Sequence, residues 1–187
     1  DSEYQGVRLS LDAYLDKTRI PLKIDISTGD VITPCEISFS YQLMFENRTI
    51  PLLAYPPETV LAEKLETILS RGEANTRLRD FYDVYILQRE DFVVTPDALR
   101  YALLATCRKR GHEDLLHTYA SILDRVRQSD TMRTQWMKYQ SDFDYAAGIT
   151  WDTVLDTVET LCMKTLDDHA FGDELPQEES QFEMHLL

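Results

Sequence analysis

Apolar and polar residues alternate through the opening third of the chain. Val7, Leu9 and Leu11 recur at every second position within residues 7–15, which predicts a half-buried strand. Asp16-Lys17-Thr18-Arg19 reads as a polar turn. Residues 20–26 alternate again, with Leu22, Ile24 and Ile26 on one face and Lys23 and Asp25 on the other. The two runs lie close enough in sequence to pair antiparallel. Gly29-Asp30 breaks the second run, and residues 36–45 and 49–54 predict one or two further short strands, with Asn47-Arg48 as a turn.

The period changes after Pro56-Pro57. From there the spacing predicts helices over 57–71, 77–90, 96–110, 113–128, 130–145 and 151–168. Pro57 suits the first helical position, and Glu58 suits the positive end of the helix dipole. Arg108-Lys109-Arg110 followed by Gly111 places cations in a last turn and then a glycine stop. In the final helix Val154, Leu155, Val158, Leu161 and Cys162 make the apolar face. Strands come first and helices after, so the expected fold class is α+β: a small antiparallel sheet followed by an α-helical bundle. Residues 170–187 lack periodicity and read as an acidic, mobile tail.

Composition adds exclusions. A hydrophobic fraction of 43% with 28% charged residues is ordinary for a globular protein. No apolar run approaches the roughly 18 residues of a membrane span, and no signal peptide opens the chain. Cys35, Cys107 and Cys162 are far apart, show no metal-ligand spacing, and read as free thiols of a reducing, cytoplasmic compartment. The net charge is −14; without the seven carboxylates after Leu166 it is −7. An acidic body argues against non-specific binding to a nucleic-acid backbone, where Lys and Arg must neutralise phosphates. A local basic pocket remains open, and Arg100, Arg108, Lys109 and Arg110 offer one patch, although a helix C-terminus accounts for three of them.

Candidate chemistry concentrates in Tyr55–Glu90, where charges fall among apolar positions. At 100° per residue, with Val60 at zero, Ile68, Leu61, Leu65 and Leu69 fall between about 80° and 180°. Lys64 falls near ~40° on the same wheel and Arg71 near ~20°. Either both snorkel to the rim of the core, or Lys64 reaches an anion, because a charge on a packed face needs a partner. On the second helix Asp80, Asp83, Val84 and Leu87 form one stripe, with Arg77 and Arg79 just before it. The carboxylates either serve the helix N-terminus and salt bridges, or form a polar site with Lys64. Asp25 stands mid-strand, where propensity disfavours it; a second carboxylate nearby, bridged by Mg²⁺, would reward it, whereas a cross-strand pair with Lys23 or Arg8 is the lesser alternative, since it would not by itself place an acid so deep in an apolar run. The four histidines show no metal-type pairing, and no Gly-rich phosphate loop or nucleophile elbow is present.

These pieces together resemble the AbiEii/AbiGii family of bacterial nucleotidyltransferases, toxins of abortive-infection (type IV) toxin–antitoxin systems. The resemblance rests on Tyr4-Gln5-Gly6-Val7-Arg8, on Pro21 to Asp30, on Tyr55-Pro56-Pro57-Glu58 with Leu61-Ala62-Glu63-Lys64-Leu65, on Arg71-Gly72, and on Arg77-x-Arg79-Asp80-Phe81-Tyr82-Asp83-Val84-Tyr85. It implies a polymerase-β-like nucleotidyltransferase sheet, present in part, with an added helical region. It divides the chain into 1–55 as the C-terminal part of the sheet core, 56–169 as the helical domain and 170–187 as the tail.

By the same resemblance, Asp25 looks like a metal carboxylate and Lys64 like the lysine that contacts the triphosphate. Asp80 looks like the polar residue of the catalytic set, with Arg77 and Asp83 beside it in substrate binding. The implied cofactor is Mg²⁺. The implied partners are an NTP, an acceptor such as tRNA and a cognate antitoxin, with no membrane. The family's Gly-Ser opening and Asp-x-Asp pair belong upstream of Tyr4–Arg8 and are not found here. These 187 residues are therefore expected to be inactive alone, and to associate with an N-terminal segment or with themselves. The alternative is a non-catalytic interaction module that binds an antitoxin or another protein.

Overall fold

The computed structural model describes residues 6–89 and 94–167. Its first elements are two hairpins. Strands β1 (Val7–Leu15) and β2 (Thr18–Ile26) pair antiparallel, Val7 opposite Ile26 and Leu15 opposite Thr18. Strands β3 (Ile37–Gln42) and β4 (Thr49–Ala54) form a second two-stranded sheet. The first turn is tighter than the four polar residues suggest. Only Asp16 and Lys17 lie outside the strands, with Asp16 at φ 52°, a left-handed conformation that Asp tolerates.

The register sorts side chains by face. Leu9 opposite Ile24 and Leu11 opposite Leu22 put one apolar face together, while Arg8 opposite Asp25 and Ser10 opposite Lys23 make the other polar. The expected half-burial is absent: no residue of β1 to β4 is buried, and Leu9, Leu11, Leu22 and Ile24 are all exposed.

The core belongs to the helices. They are α1 (Pro57–Arg71), α2 (Leu78–Leu87), α3 (Pro96–Arg110), α4 (Leu115–Gln128), α5 (Asp130–Asp142) and α6 (Trp151–Leu166). Each follows its expected span, with ends that differ by a few residues. The fifth stops at Asp142 because Phe143 turns extended (φ −136°, ψ 103°) and opens a short 3-10 turn. The expected ends of the second and sixth helices, Glu90 and Asp168, and the tail over 170–187 lie outside the described residues.

Side-chain caps set several starts. The Thr95, Ser129 and Thr150 hydroxyls accept from the backbone N–H three residues on, at 3.2, 3.3 and 3.1 Å. Gly111, at φ 68°, ends α3 in the left-handed conformation. Helix α1 sits centrally, packed on α2, α3 and α4 through Leu61, Leu65, Ile68 and Leu69. Phe81, Trp136 and Trp151 join α2, α5 and α6, and Trp136 Nε1 donates to the Ile149 carbonyl at 2.8 Å.

Candidate functional site

The buried face of α1 is shifted from the arc drawn on the helical wheel. Ala62 and Glu66 are buried with Leu61, Leu65 and Leu69, whereas Val60 is half-buried. Lys64 therefore stands at the edge of the core, beside α2, rather than within the packed arc. Its side chain is 20% exposed, and Nζ lies 2.6 Å from Asp83 Oδ2 and 3.3 Å from Asp80 Oδ1. The lysine and both carboxylates of the α2 stripe thus meet.

The α2 side is built from the loop before it. Asn75, fully buried, accepts the Arg77 N–H through Oδ1 at 2.7 Å, which fixes the chain where α2 begins. Asp80 lies in the first turn, where the helix dipole favours a carboxylate. Arg77 Nε comes to 2.8 Å of Asp80 Oδ2, and Arg79 stands 3.8 Å from Asp83. Asp80 is only 3% exposed, and a carboxyl group buried to that degree needs hydrogen-bonding partners such as these.

These residues line one wall of a cleft of about 680 Å³. Helix α5 supplies the other wall through Gln135, Lys138, Tyr139 and Asp142, and Phe143 follows it. Four cations (Lys64, Arg77, Arg79 and Lys138) face three carboxylates (Asp80, Asp83 and Asp142), a locally positive balance in a chain of net charge −14. A concave, partly apolar cleft of this size with a few convergent charges suits a phosphorylated small molecule. Nothing in the sequence pointed to the α5 wall, because Lys138 and Phe143 look like ordinary positions on a polar helix.

Asp25 is not part of this cleft. It lies on the polar face of β2, 65% exposed, and Arg8 across the ribbon donates to both of its oxygens, at 2.5 and 2.9 Å. That hydrogen-bonded pair lowers the Asp25 pKa. The cross-strand account thus explains its place in the strand. Among the described residues no group of three or more His, Cys, Asp or Glu side chains gathers as a metal site. One carboxylate committed to an arginine does not fit magnesium, which needs several oxygen ligands. The described residues do not by themselves make the expected Mg²⁺ centre.

A second constellation escaped the sequence reading. Glu66, 2% exposed in the middle of α1, ion-pairs with Arg110 at the end of α3, and its Oε1 lies 2.7 Å from His112 Nδ1. Arg110 also lies 3.7 Å from Glu63, whose pKa is raised chiefly by burial. The helical wheel gave no signal for it: with Val60 at zero Glu66 falls at ~240°, outside the apolar arc, and it is buried because α3 also packs on that side of α1. His112 looked ordinary and Arg110 looked like a dipole cation. Arg110 faces inward, and the Arg100 guanidinium donates to the Leu166 carbonyl at 3.4 Å, which takes both from the basic patch read on α3.

Cys107 and Cys162 are buried and Cys35 is exposed, all as free thiols. No helix among the described residues is long and apolar enough to cross a membrane.

Among known protein families, the model described as "Nucleotidyl transferase AbiEii toxin, Type IV TA system" matches residues 1–157. No curated protein and no solved structure matches the chain.

Proposed function

We propose a division of labour for this chain, which belongs to the AbiEii nucleotidyl transferase toxin family of type IV toxin–antitoxin systems: its helical body is the part that holds the NTP. The observation that carries this reading is Lys64 poised between Asp80 and Asp83 on the wall of a cleft that Arg77 and Lys138 also line. In nucleotidyl transfer an acceptor hydroxyl oxygen bonds to the α-phosphorus while the bond to the leaving pyrophosphate breaks. Negative charge grows on the departing oxygens. A fixed ammonium and a guanidinium aimed at them lower that barrier. Lys64 and Arg77 take that part here, and Asp80 and Asp83 hold the lysine in place.

Asp25, held by Arg8 on the strand ribbon and outside the cleft, has no part in this reading. The acceptor hydroxyl would be that of an RNA such as tRNA, and the setting a reducing cytoplasm, which suits three free thiols.

Calorimetric titration of the chain with inorganic tripolyphosphate tests the core of this. Binding by the native protein, lost in Lys64→Ala, is the expected result. Equal affinities for the two proteins would overturn the assignment of Lys64.

A second reading has its own observation. The exposed apolar faces of the hairpins suit a protein partner such as the cognate antitoxin, with no nucleotide chemistry in this chain. An intact antitoxin complex in a chain that binds no tripolyphosphate would favour it.

A further inference from the structure

We propose that the α5 wall of the cleft is the nucleoside subsite, with Phe143 as the stacking platform for the base and Gln135 as the group that hydrogen-bonds its edge. The proposal rests on the nucleotide reading of Lys64 and goes beyond it.

The two walls differ in kind. The α1–α2 wall is ionic, with Lys64, Arg77 and Asp80 committed to one another. The α5 wall carries the aromatic groups, Tyr139 and Phe143. Phe143 follows the last residue of α5, where the extended backbone turns the chain out of the helix. Its ring stacks on Tyr145 (5.3 Å between centroids, 29° between planes) and packs at 4.7 Å on Tyr139. Yet it remains 41% exposed while lining the cleft. An aromatic ring held from behind and open in front is what a base needs for stacking, since every base has a π-face. Tyr139 is committed elsewhere: it is buried, and its hydroxyl lies 3.0 Å from that of Tyr145.

Gln135, on α5 eight residues before Phe143, brings the polar half of the argument. Its side-chain oxygen is buried and has no hydrogen-bond partner among the described residues. A buried acceptor without a donor is destabilising, and Gln135 is one of the residues that line this cleft. A base edge carrying an N–H, such as the exocyclic amino group of adenine or cytosine, supplies that donor. Lys138 lies on the same wall, exposed and without an ion pair among the described residues, and is placed to meet phosphate between the two walls. A triphosphate on the ionic wall and a base on the aromatic wall give Lys64, Arg77, Lys138, Gln135 and Phe143 each a part in one cleft.

Titration of the full chain with ATP, CTP, GTP, UTP and tripolyphosphate separates the two readings. The subsite predicts that nucleotides bind more tightly than tripolyphosphate, and that Phe143→Ala weakens them about tenfold without changing tripolyphosphate binding. Phe143→Trp keeps the affinity, which separates stacking from a folding defect. Gln135→Leu narrows the spread of affinities among the four nucleotides, again with tripolyphosphate unchanged. If tripolyphosphate binds as tightly as every nucleotide, or Phe143→Ala leaves nucleotide affinity intact, the subsite is wrong and the Lys64 reading stands. If the native chain binds neither tripolyphosphate nor nucleotide, both fall together.

Discussion

Lys64 Nζ lies 2.6 Å from Asp83 Oδ2, a contact between α1 and α2 that closes one wall of the cleft. The lysine is structural and chemical at once. Lys64→Met removes the cation from two carboxylates, but Asp80 keeps Arg77 at 2.8 Å and Asp83 keeps the more distant Arg79. The expected loss is therefore about 1–3 kcal/mol, below the cost of stripping a buried charge bare. Urea unfolding with an unchanged m-value is the measurement; a variant as stable as the native chain would show that the contact is weak.

Glu66 should matter more. It is nearly inaccessible and answers both Arg110 and His112. Glu66→Ala takes the nearer carboxylate from a largely buried guanidinium, leaving Glu63 3.7 Å away, and is expected to lower stability by about 3 kcal/mol. Glu66→Gln keeps part of the hydrogen bonding and should cost about half as much. Both variants leave Lys64 untouched, so tripolyphosphate binding by the folded fraction should persist.

The thiols give a pH signature. Burial pushes the Cys107 and Cys162 thiols from 9.0 up to about 12 in the folded chain. Their folded-state pKa values are raised, so this contribution to stability is complete below pH 9. It is lost as pH rises from there toward 12, because the unfolded chain ionises first. The slope is about 1.4 kcal/mol per pH unit for each thiol. Thermal melts over this range should fall faster for the native chain than for a Cys107→Ala, Cys162→Ala variant. At pH 8 a thiol reagent should react rapidly with Cys35 alone, and with all three cysteines in denaturant.

Helix positions were legible because the apolar period and the Pro57, Thr150 and Gly111 punctuation agree with each other. The Lys64–Asp80–Asp83 cluster was legible for the same reason: charges stood where core residues were due. Strand pairing was legible from alternation, but strand burial was not. Alternation reports which face is apolar, and says nothing about what covers it. Glu66 with Arg110, and the α5 wall of the cleft, bring together residues more than forty positions apart. Spacing within one helix cannot show which distant helix arrives beside it.

The strands carry a further prediction. With Leu9, Leu11, Leu22 and Ile24 all exposed on one face, the chain should bind a hydrophobic dye in its native state and self-associate with rising concentration. Leu11→Ser with Ile24→Ser should reduce both, in dye fluorescence and in sedimentation velocity, and leave the helical melt unchanged. A native chain that stays monomeric and dark to the dye would refute this.

Both tryptophans of the chain, Trp136 and Trp151, lie in the helical core. The two-stranded ribbons hold no buried residue, and isolated ribbons of that kind open far more readily than a packed helical body. Tryptophan emission therefore watches only the helical half of the molecule. A sharp, reversible fluorescence transition would certify the helices while the strands exchanged their amide protons freely, so hydrogen exchange and tryptophan emission will disagree about how stable this protein is, each correctly.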